Sequence, residues 1–140
     1  MNTSTDTAEA NKAIITHAMA LMAQGDTSAF WDAWAEDGSW RMMGSRRWGL
    51  AYPGRDAARE QLFGPLRRQY ADVFINTATH IFADGDHVIV ELLGGVPLKA
   101  GGRYDNRYCF TIRMEGGKMV EIREYFDTAL AERRLEPIAP

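Results

Sequence analysis

Residues 104–126 read YDNRYCFTIRMEGGKMVEIREYF, and this stretch decides the fold class. From Tyr104 to Met114 the even-numbered positions are aromatic, aliphatic, Met or Asn, whereas the odd-numbered positions are Asp, Arg, Cys and Thr. An alternation with a period of two places these two sets on opposite faces of a β-strand. Glu115 to Gly117 then turns the chain, and Lys118 to Phe126 runs back. The stretch therefore predicts two long antiparallel strands with one buried face.

Two further strands are predicted before this pair. Val73 to Phe82 and His87 to Leu93 are rich in strand-forming residues, and Asp84-Gly85 between them is a strong hairpin signal. A looped connection to the later strands is predicted from residues that break regular strands: Gly94, Gly95, Pro97, Gly101 and Gly102.

The N-terminal segment predicts a first helix. It should begin near Thr7, with Asp6 as its N-cap, and Gly25 should end it. Apolar side chains one or two turns apart form a stripe along this segment: Ile14, Ala18, Leu21 and Met22.

Two shorter helices and one short strand are predicted next. Asp26 or Thr27 caps a second helix that carries Trp34, and Asp37-Gly38 ends it. Ser39 to Met43 has the pattern of a short strand. A third helix opens at Gly54, and we expect Pro65 to kink or split it.

Helices followed by a run of antiparallel strands form the α+β pattern. We therefore predict a curved sheet that wraps around the N-terminal helices and encloses a pocket. No repeat or linker interrupts residues 1–140, so a single domain is expected, with an ordered core over about residues 7–135. The tail from Glu136 to Pro140 holds two prolines and is predicted to be a loose end.

Composition and charge exclude several classes of protein. The formal net charge is -3, which gives no electrostatic reason to expect nucleic acid or an anionic membrane. Cys109 is the single cysteine and cannot form an internal disulfide, which favours a cytoplasmic setting. The sequence begins without the basic and apolar regions of a signal peptide, and no apolar run approaches the roughly 18 residues of a membrane span.

Four short motifs, in their order and spacing, carry a family resemblance: Gly54-Arg55-Asp56-Ala57, Tyr104 to Tyr108, Gly117 to Val120, and Arg123 to Asp127. They resemble the SnoaL-like proteins of the nuclear transport factor 2-like superfamily. That superfamily also holds the ketosteroid isomerases, the limonene-type epoxide hydrolases, scytalone dehydratase and the phenazine-biosynthesis A/B proteins. The resemblance covers about residues 9–135. It implies a cone-shaped α+β barrel, usually a homodimer, with a pocket between sheet and helices, but no single activity.

Two catalytic patterns of these relatives are missing. The base Asp of the ketosteroid isomerases falls near Met42, where no carboxylate stands. The Arg and Asp of the limonene-type epoxide hydrolases fall on Glu91 to Gly94, which contains neither. Glu124 remains, at a position that the resemblance implies is catalytic in epoxide hydrolases and phenazine A/B proteins. A single acid–base group is closer to the SnoaL-type aldol cyclases or the phenazine-type condensation.

Glu124 is the first candidate for chemistry. A three-residue loop at Glu115 to Gly117 would place Tyr108 opposite Glu124, and Phe110 opposite Ile122, on the inward face of the sheet. A carboxylate among apolar neighbours is poorly solvated, so its pKa should rise toward neutrality. General acid–base catalysis at physiological pH requires such a pKa. The alternative is a structural carboxylate tied to an Arg or a Tyr.

Tyr108, Asn106 and His80 are the other candidates for catalysis. Tyr108 and Asn106 share the inward face, where a hydroxyl stabilises a developing oxyanion and an amide orients a carbonyl or a water. Tyr108 could instead pack with its hydroxyl on a backbone group. His80 lies mid-strand, where a neutral imidazole acts as base or donor, although a lone strand His is more often a core or surface residue.

Large apolar side chains are expected to form the pocket walls, and wide aromatic walls suit a flat or cyclic ligand. The predicted lining residues are His17, Trp34, Trp40, Met42, Phe63, Phe110, Ile122 and Phe126. Three His without clustered Cys or paired Asp give no metal-ligand spacing, and no glycine pair has the strand–Gly–helix context of a phosphate loop. We therefore predict neither a metal nor a cofactor.

Three functions are consistent with these observations. The first is an enzyme in which Glu124 moves a proton on a small cyclic or polyketide-like substrate while Tyr108 and Asn106 hold its oxygen. The second is a carrier that binds a small ligand without turnover. The third is a structural dimer whose interior is filled by Trp and Met side chains.

Overall fold

The structure is a computed structural model that describes residues 3–138. Its helices are α1 Thr3–Met22, α2 Ser28–Ala33, α3 Arg55–Ala58, α4 Gly64–Arg67 and α5 Thr128–Arg134. Its strands are β1 Trp34–Met42, β2 Ala51–Tyr52, β3 Ile75–Asp84, β4 His87–Pro97, β5 Arg103–Glu115 and β6 Lys118–Phe126. A 3₁₀ turn spans Arg46–Trp48, and a π-helical turn spans Arg59–Phe63.

The six strands form one curved sheet in the order β2-β1-β6-β5-β4-β3. All neighbouring strands are antiparallel except β1 and β6, which are parallel. Helix α1 packs across β3 and β4, and α2 and α3 lie against β1. The inward face of β5 is largely buried, as its alternation indicates. The α+β class and the sheet wrapped around helices are thus confirmed.

Helix α1 is longer than the sequence indicated, because it begins at Thr3 and Asp6 lies inside it. Its end is as predicted. Gly25 has a φ of 86°, and its N–H donates to the carbonyl of Met22. The N–H of Asp26 donates to the carbonyl of Leu21. These two bonds form a Schellman motif, which requires a left-handed residue that glycine adopts without strain.

Strand β1 begins at Trp34, five residues before the predicted start at Ser39, and Asp37-Gly38 does not end a helix. The two residues belong to a bulge, because Trp34 pairs with Met119 whereas Ser39 pairs with Glu121. The indole Nε1 of Trp34 donates to the Gly38 carbonyl at 2.8 Å. A bulge folds extra residues out of a strand without ending it, so a local Asp-Gly turn signal was overridden by pairing with β6.

The third helical segment is continuous from Arg55 to Arg67 but changes type, from α through the π turn back to α. Pro65 follows the π turn, so the predicted disturbance at this residue is present. Proline lacks an N–H and its ring crowds the carbonyl four residues earlier. The wider π turn accommodates both defects.

Gly94 and Gly95 lie inside β4 and not in a loop, because the strand pairs with β5 as far as Pro97. A Cβ on Gly94 would stand 2.5 Å from the ring of Phe74 and 3.0 Å from that of Tyr108. Gly94 therefore allows two aromatic rings to pack closely against β4, and it does not break the strand.

The β5–β6 hairpin has a different register from the prediction. Gly116 and Gly117, at φ values of 56° and 77°, form a two-residue turn, and a bulge follows between Arg113 and Met114. Phe110 therefore pairs with Glu124, and Tyr108 pairs with Phe126. The turn and the bulge each shift the register by one residue, so Glu124 keeps the inward face that was predicted.

The C-terminal segment is held by hydrogen bonds. Asp127 caps α5 by accepting from the backbone N–H of Leu130 at 3.1 Å. The side chain of Gln69 bonds both the N–H and the carbonyl of Glu136, at 2.8 and 3.2 Å, and Ile138 is buried. The prediction of a loose tail was therefore wrong for residues 136–138, and residues 139–140 lie outside the described part. Within residues 3–138, no helix has the length and apolar character to cross a membrane.

Candidate functional site

A cavity of about 610 Å³ lies between the concave face of the sheet and the helices. It is lined by residues of α1 and α2, of the π turn and the segment that follows it, and of β1, β3, β5 and β6. Its walls are mainly aromatic: Phe30, Trp31, Trp34, Trp40, Phe63, Tyr70, Phe74, Tyr108 and Phe110. A space of this size and character fits a small flat molecule, and it contradicts the interior filled by Trp and Met side chains.

Glu124 lies at the base of this cavity. On β6 it faces Phe110 of β5 on one side and Met42 of β1 on the other. The indole Nε1 of Trp40 donates to Glu124 Oε1 at 3.2 Å. Burial raises the pKa of Glu124 from its ordinary value of 4.5 to about 7, and the hydrogen bond from Trp40 opposes the rise. Because Glu124 lines the cavity, its carboxyl is accessible to a ligand there.

Packing around Trp40 holds the indole in place for this bond. Its ring contacts the rings of Phe63, Phe110 and Trp34 at centroid separations of 5.1, 5.3 and 5.4 Å. Three aromatic neighbours leave the indole little rotational freedom, so the donor stays directed at Glu124.

Replacing Trp40 by Phe should raise the pKa of Glu124 further. A hydrogen bond to a charged group contributes about 1.5 kcal/mol, so the acid dissociation constant should fall about tenfold. Carbon-detected NMR titration of the carboxyl measures this change, with Glu124→Gln to assign the signal. Trp31→Phe is the control, because Trp31 lines the cavity without a bond to Glu124. Equal titration of both variants would show that the indole does not stabilise the carboxylate.

Tyr108 also lines the cavity, and a hydrogen-bonded chain continues behind it. Its hydroxyl donates to Tyr104 Oη at 2.8 Å, and Asn106 Nδ2 donates to the same oxygen at 2.8 Å. Burial raises the pKa of Tyr108 well above 10.0, and that of Tyr104 is raised for the same reason. Both tyrosines therefore remain protonated donors at neutral pH.

Asn106 does not reach the cavity, which corrects its expected contact with a substrate oxygen. It is buried, and Nδ2 also donates to the carbonyl of Asp127 at 3.0 Å, while Oδ1 accepts from the N–H of Arg107 at 2.8 Å. Tyr104 stands between it and Tyr108. The alternation placed Asn106 on the inward face, but its amide group is engaged by Tyr104, Asp127 and the Arg107 backbone, and it does not line the cavity.

His80 and His17 lie outside the cavity, so neither has the predicted position. An irregularity in β3 after Ala78 leaves His80 exposed, with Nδ1 3.5 Å from Glu91 Oε1 and the ring stacked on Phe82. His17 is exposed on α1, because the buried stripe of that helix runs through other positions. That stripe comprises Ala8, Asn11, Ile15, Ala18, Met19 and Met22.

The predicted wall residues divide into two groups. Those that line the cavity are Trp34, Trp40, Phe63 and Phe110. Met42, Ile122 and Phe126 face inward but do not line it. Met42 and Ile122 are buried in the core, and the ring of Phe126 packs between Trp48 and Tyr108. Alternation identifies the inward face of a strand, but it does not separate core positions from cavity positions on that face.

Several lining residues were not predicted as such, notably Tyr70 and Phe74. Their rings stack at 5.4 Å in the segment between α4 and β3, where the sequence suggested the end of a helix and the start of a strand. No sequence signal identified them, because the contact of Phe74 with Gly94 joins two segments that are distant in the chain. As for metal binding, no group of three or more His, Cys, Asp or Glu in the part of the chain that the structure describes is arranged to hold an ion.

The family follows from a comparison with known domains. A model of the SnoaL-like domain matches residues 15–122, so the chain belongs to the SnoaL-like family. The fold is that of the nuclear transport factor 2-like superfamily, which confirms the resemblance found in the sequence motifs. No curated protein sequence matches this chain.

Solved structures show the same fold. Bal32a, from a soil-derived mobile gene cassette, has a TM-score of 0.78 at 23% identity, over 93% of this chain and 99% of that one. A nuclear transport factor 2-like protein of Burkholderia xenovorans has a TM-score of 0.68 at 22% identity, over 92% and 98%. TerC, co-crystallised with polyporic acid, has a TM-score of 0.73 at 18% identity, over 89% and 97%. At these identities the likeness concerns the fold alone.

Proposed function

We propose that this protein is an enzyme that performs general acid–base chemistry, without a cofactor, on a small apolar cyclic or polyketide-like substrate. The reaction would be of the cyclase, isomerase, dehydratase or condensation type. The observation that carries the proposal is the carboxyl of Glu124, with a pKa of about 7, at the base of an aromatic cavity. Near neutral pH such a group is present in both protonation states, so it accepts and returns a proton with equal ease.

The elementary step is proton abstraction from a carbon next to a carbonyl group. The Glu124 carboxylate takes the proton, the C–H electron pair forms the C=C bond of an enolate, and the carbonyl oxygen takes the negative charge. Protonated Glu124 then returns a proton to carbon, or the enolate attacks a second carbonyl within the same substrate. Aromatic walls exclude water, which strengthens each electrostatic interaction inside the cavity.

Tyr108 is the residue we assign to the developing oxyanion. Its hydroxyl bonds Tyr104 Oη, and hydroxyl hydrogens rotate to suit their partners. When a ligand oxygen accepts from Tyr108, Tyr104 can donate to Tyr108 in turn, since Asn106 Nδ2 already supplies Tyr104 with a donor. The buried chain thus supports a donor in the cavity wall, as an oxyanion site requires.

The shape of the cavity favours a planar substrate with one or two rings. Trp31 and Trp34 stack at 5.0 Å on one side, and Phe110 contacts Trp40 at 5.3 Å beside Glu124. TerC, which has the same fold, was co-crystallised with polyporic acid. This is consistent with an aromatic ligand for the present chain.

The proposal can be tested by hydrogen exchange at carbon. 2-Tetralone, a flat apolar ketone with an acidic C–H group, is incubated with the protein in D₂O, and loss of the α-proton signal is followed by NMR. We expect the wild-type protein to accelerate exchange and Glu124→Gln to lose at least about 100-fold of that acceleration, since general base catalysis contributes 10²–10⁴-fold. Glu9→Gln is the matched control, because Glu9 is exposed on α1.

Exchange that Glu124→Gln leaves intact would remove Glu124 from the mechanism. Quenching of tryptophan fluorescence measures binding separately, because three of the four Trp line the cavity. Binding of the ketone without any exchange would favour the alternative function, a protein that binds a small ligand without turnover.

We also propose that the protein is a homodimer that associates through the outer face of the sheet. That face carries a groove of about 690 Å³, with Ile75 and Leu93 exposed beside the Arg103–Asp105 ion pair. A two-fold contact places the same surface on both partners, so a face with both signs of charge and an apolar strip can pair with itself.

The cytoplasmic setting, inferred from the single cysteine, also remains a prediction.

A further inference from the structure

The cavity has an uneven distribution of charge. Its lining residues include three charged side chains: Glu124, Asp72 and Arg67. Glu124 is deep, whereas Asp72 and Arg67 are exposed and therefore mark where the cavity opens to solvent. Among the described residues that line the cavity, Arg67 is the one cation, and it is the last residue of α4.

Arg67 has a side chain that is free to bind. Within residues 3–138, its guanidinium takes part in no hydrogen bond or ion pair. Asp72, by contrast, has Oδ1 engaged by the backbone N–H of Val73 at 2.7 Å. Burial raises the pKa of Tyr70, and the positive charge of Arg67 opposes that rise. The guanidinium is thus close enough to act on the hydroxyl of a residue that itself lines the cavity.

We propose that Arg67 is a specificity-determining residue that selects ligands with an anionic group, such as a carboxylate, at the end opposite the reacting carbon. The inference rests on the proposed function, since it assumes that the reacting end of the ligand lies at Glu124. A planar guanidinium offers paired N–H donors that match the two oxygens of a carboxylate. An aromatic body, an anionic end at Arg67 and a neutral end at Glu124 together define the ligand as an aromatic or polyketide-like acid.

Binding of matched naphthalene derivatives tests this inference. Isothermal titration calorimetry at pH 6 compares 2-naphthoate, the neutral 2-naphthamide and the cationic 2-naphthylmethylammonium ion. At that pH most of Glu124 is protonated, because its pKa is about 7, so it does not repel the anion. We expect the wild-type protein to bind 2-naphthoate about fivefold more tightly than 2-naphthamide, since a partly exposed ion pair contributes about 1 kcal/mol.

Two adjacent arginines provide the variant and its control. Arg67→Met should weaken binding of 2-naphthoate about fivefold and change binding of 2-naphthamide less than about twofold. Arg68→Met should change neither, because Arg68 is exposed on the same segment but does not line the cavity. Three results would overturn the inference: equal affinity for anion and amide, equal losses in the two variants, or no binding of the three compounds.

Tightest binding of the ammonium ion would also overturn it and would point to Asp72 instead. Failure here is distinguishable from failure of the proposed function, because exchange of 2-tetralone is measured on a neutral ketone. Exchange without a preference for anions removes only the role of Arg67. A preference for anions without exchange keeps Arg67 as a binding determinant and removes the catalysis.

Discussion

Glu124→Gln should stabilise the folded protein at pH 8 by about 3 kcal/mol relative to wild type. Folding moves the pKa of Glu124 from 4.5 to about 7, because the carboxyl leaves water for an aromatic cavity. Each pKa unit corresponds to about 1.4 kcal/mol, so ionisation of the folded protein at high pH costs about 3 kcal/mol. A neutral amide in the same place avoids that cost. The carboxylate would thus be retained for chemistry at the expense of stability.

The pH dependence follows from the direction of this pKa change. The folded protein holds the Glu124 proton more tightly than the unfolded chain does, so this stabilisation is fully present below pH 4.5. It is lost as the pH rises from 4.5 through about 7. Urea unfolding at pH 4.5 and pH 8 measures the change, and the Gln variant should lack the part of it, about 3 kcal/mol, that comes from Glu124.

Comparing the two pH values within each variant removes any constant effect of the amide on packing. Glu9→Gln, at an exposed position, should keep the wild-type pH dependence. If wild type and Glu124→Gln lost the same free energy of unfolding between the two pH values, Glu124 would not be desolvated. The proposed acid–base role would then lose its physical basis.

Gly38→Ala should destabilise the protein by about 3 kcal/mol. A Cβ at this position would stand 2.6 Å from the carbonyl oxygen of Met119 and 2.8 Å from the indole of Trp34. The Met119 carbonyl belongs to the backbone of β6, so it cannot rotate away as a side chain does. Overpacking costs about 1–3 kcal/mol, and loss of the bond from Trp34 Nε1 to the Gly38 carbonyl costs about 1 kcal/mol more.

The same substitution should disturb the cavity, because Trp34 forms part of its wall and contacts Trp40 at 5.4 Å. Urea unfolding measures the loss of stability. A shift in tryptophan emission shows whether Trp34 has moved in the cavity wall. Gly85→Ala is the control. Its Cβ would meet no atom within 4 Å, so only the strain of its φ of 58° remains, about 1 kcal/mol. If Gly38→Ala lowered the free energy of unfolding no more than Gly85→Ala, the bulge would be able to relax around the added methyl group.

Periodicity in the sequence was sufficient to identify the inward face of β5 and β6. An alternation over Tyr104 to Met114 specifies which side chains share a face, and the two-residue period keeps that assignment even when the register moves by two. Glu124 was therefore placed on the inward face despite an incorrect pairing partner. Its raised pKa followed from the same argument, since the effect of burial is larger than the opposing effect of the hydrogen bond from Trp40.

Bulges and side-chain size were decided by the tertiary structure. Asp37-Gly38 predicts a break between a helix and a strand. Pairing of β1 with β6 instead makes these residues part of a bulge, in which the Trp34 indole donates to the Gly38 carbonyl. An irregularity in β3 between Ala78 and His80 leaves His80 exposed. The sequence pattern of β3 does not predict this irregularity. Local patterns describe residues a few positions apart, whereas a bulge depends on a partner strand far away in the chain.

By itself, the sequence determined the α+β class, the SnoaL-like family and the acid–base candidate at Glu124. These depend on alternation, on short motifs and on a carboxylate among apolar neighbours, all of which are local. Only the tertiary structure decided that Asn106 bonds Tyr104 and does not line the cavity, that Tyr70 and Phe74 line it, and that Arg67 lies at its opening. Those facts depend on how elements distant in sequence pack together, and the volume that packing leaves empty is a property of the whole fold.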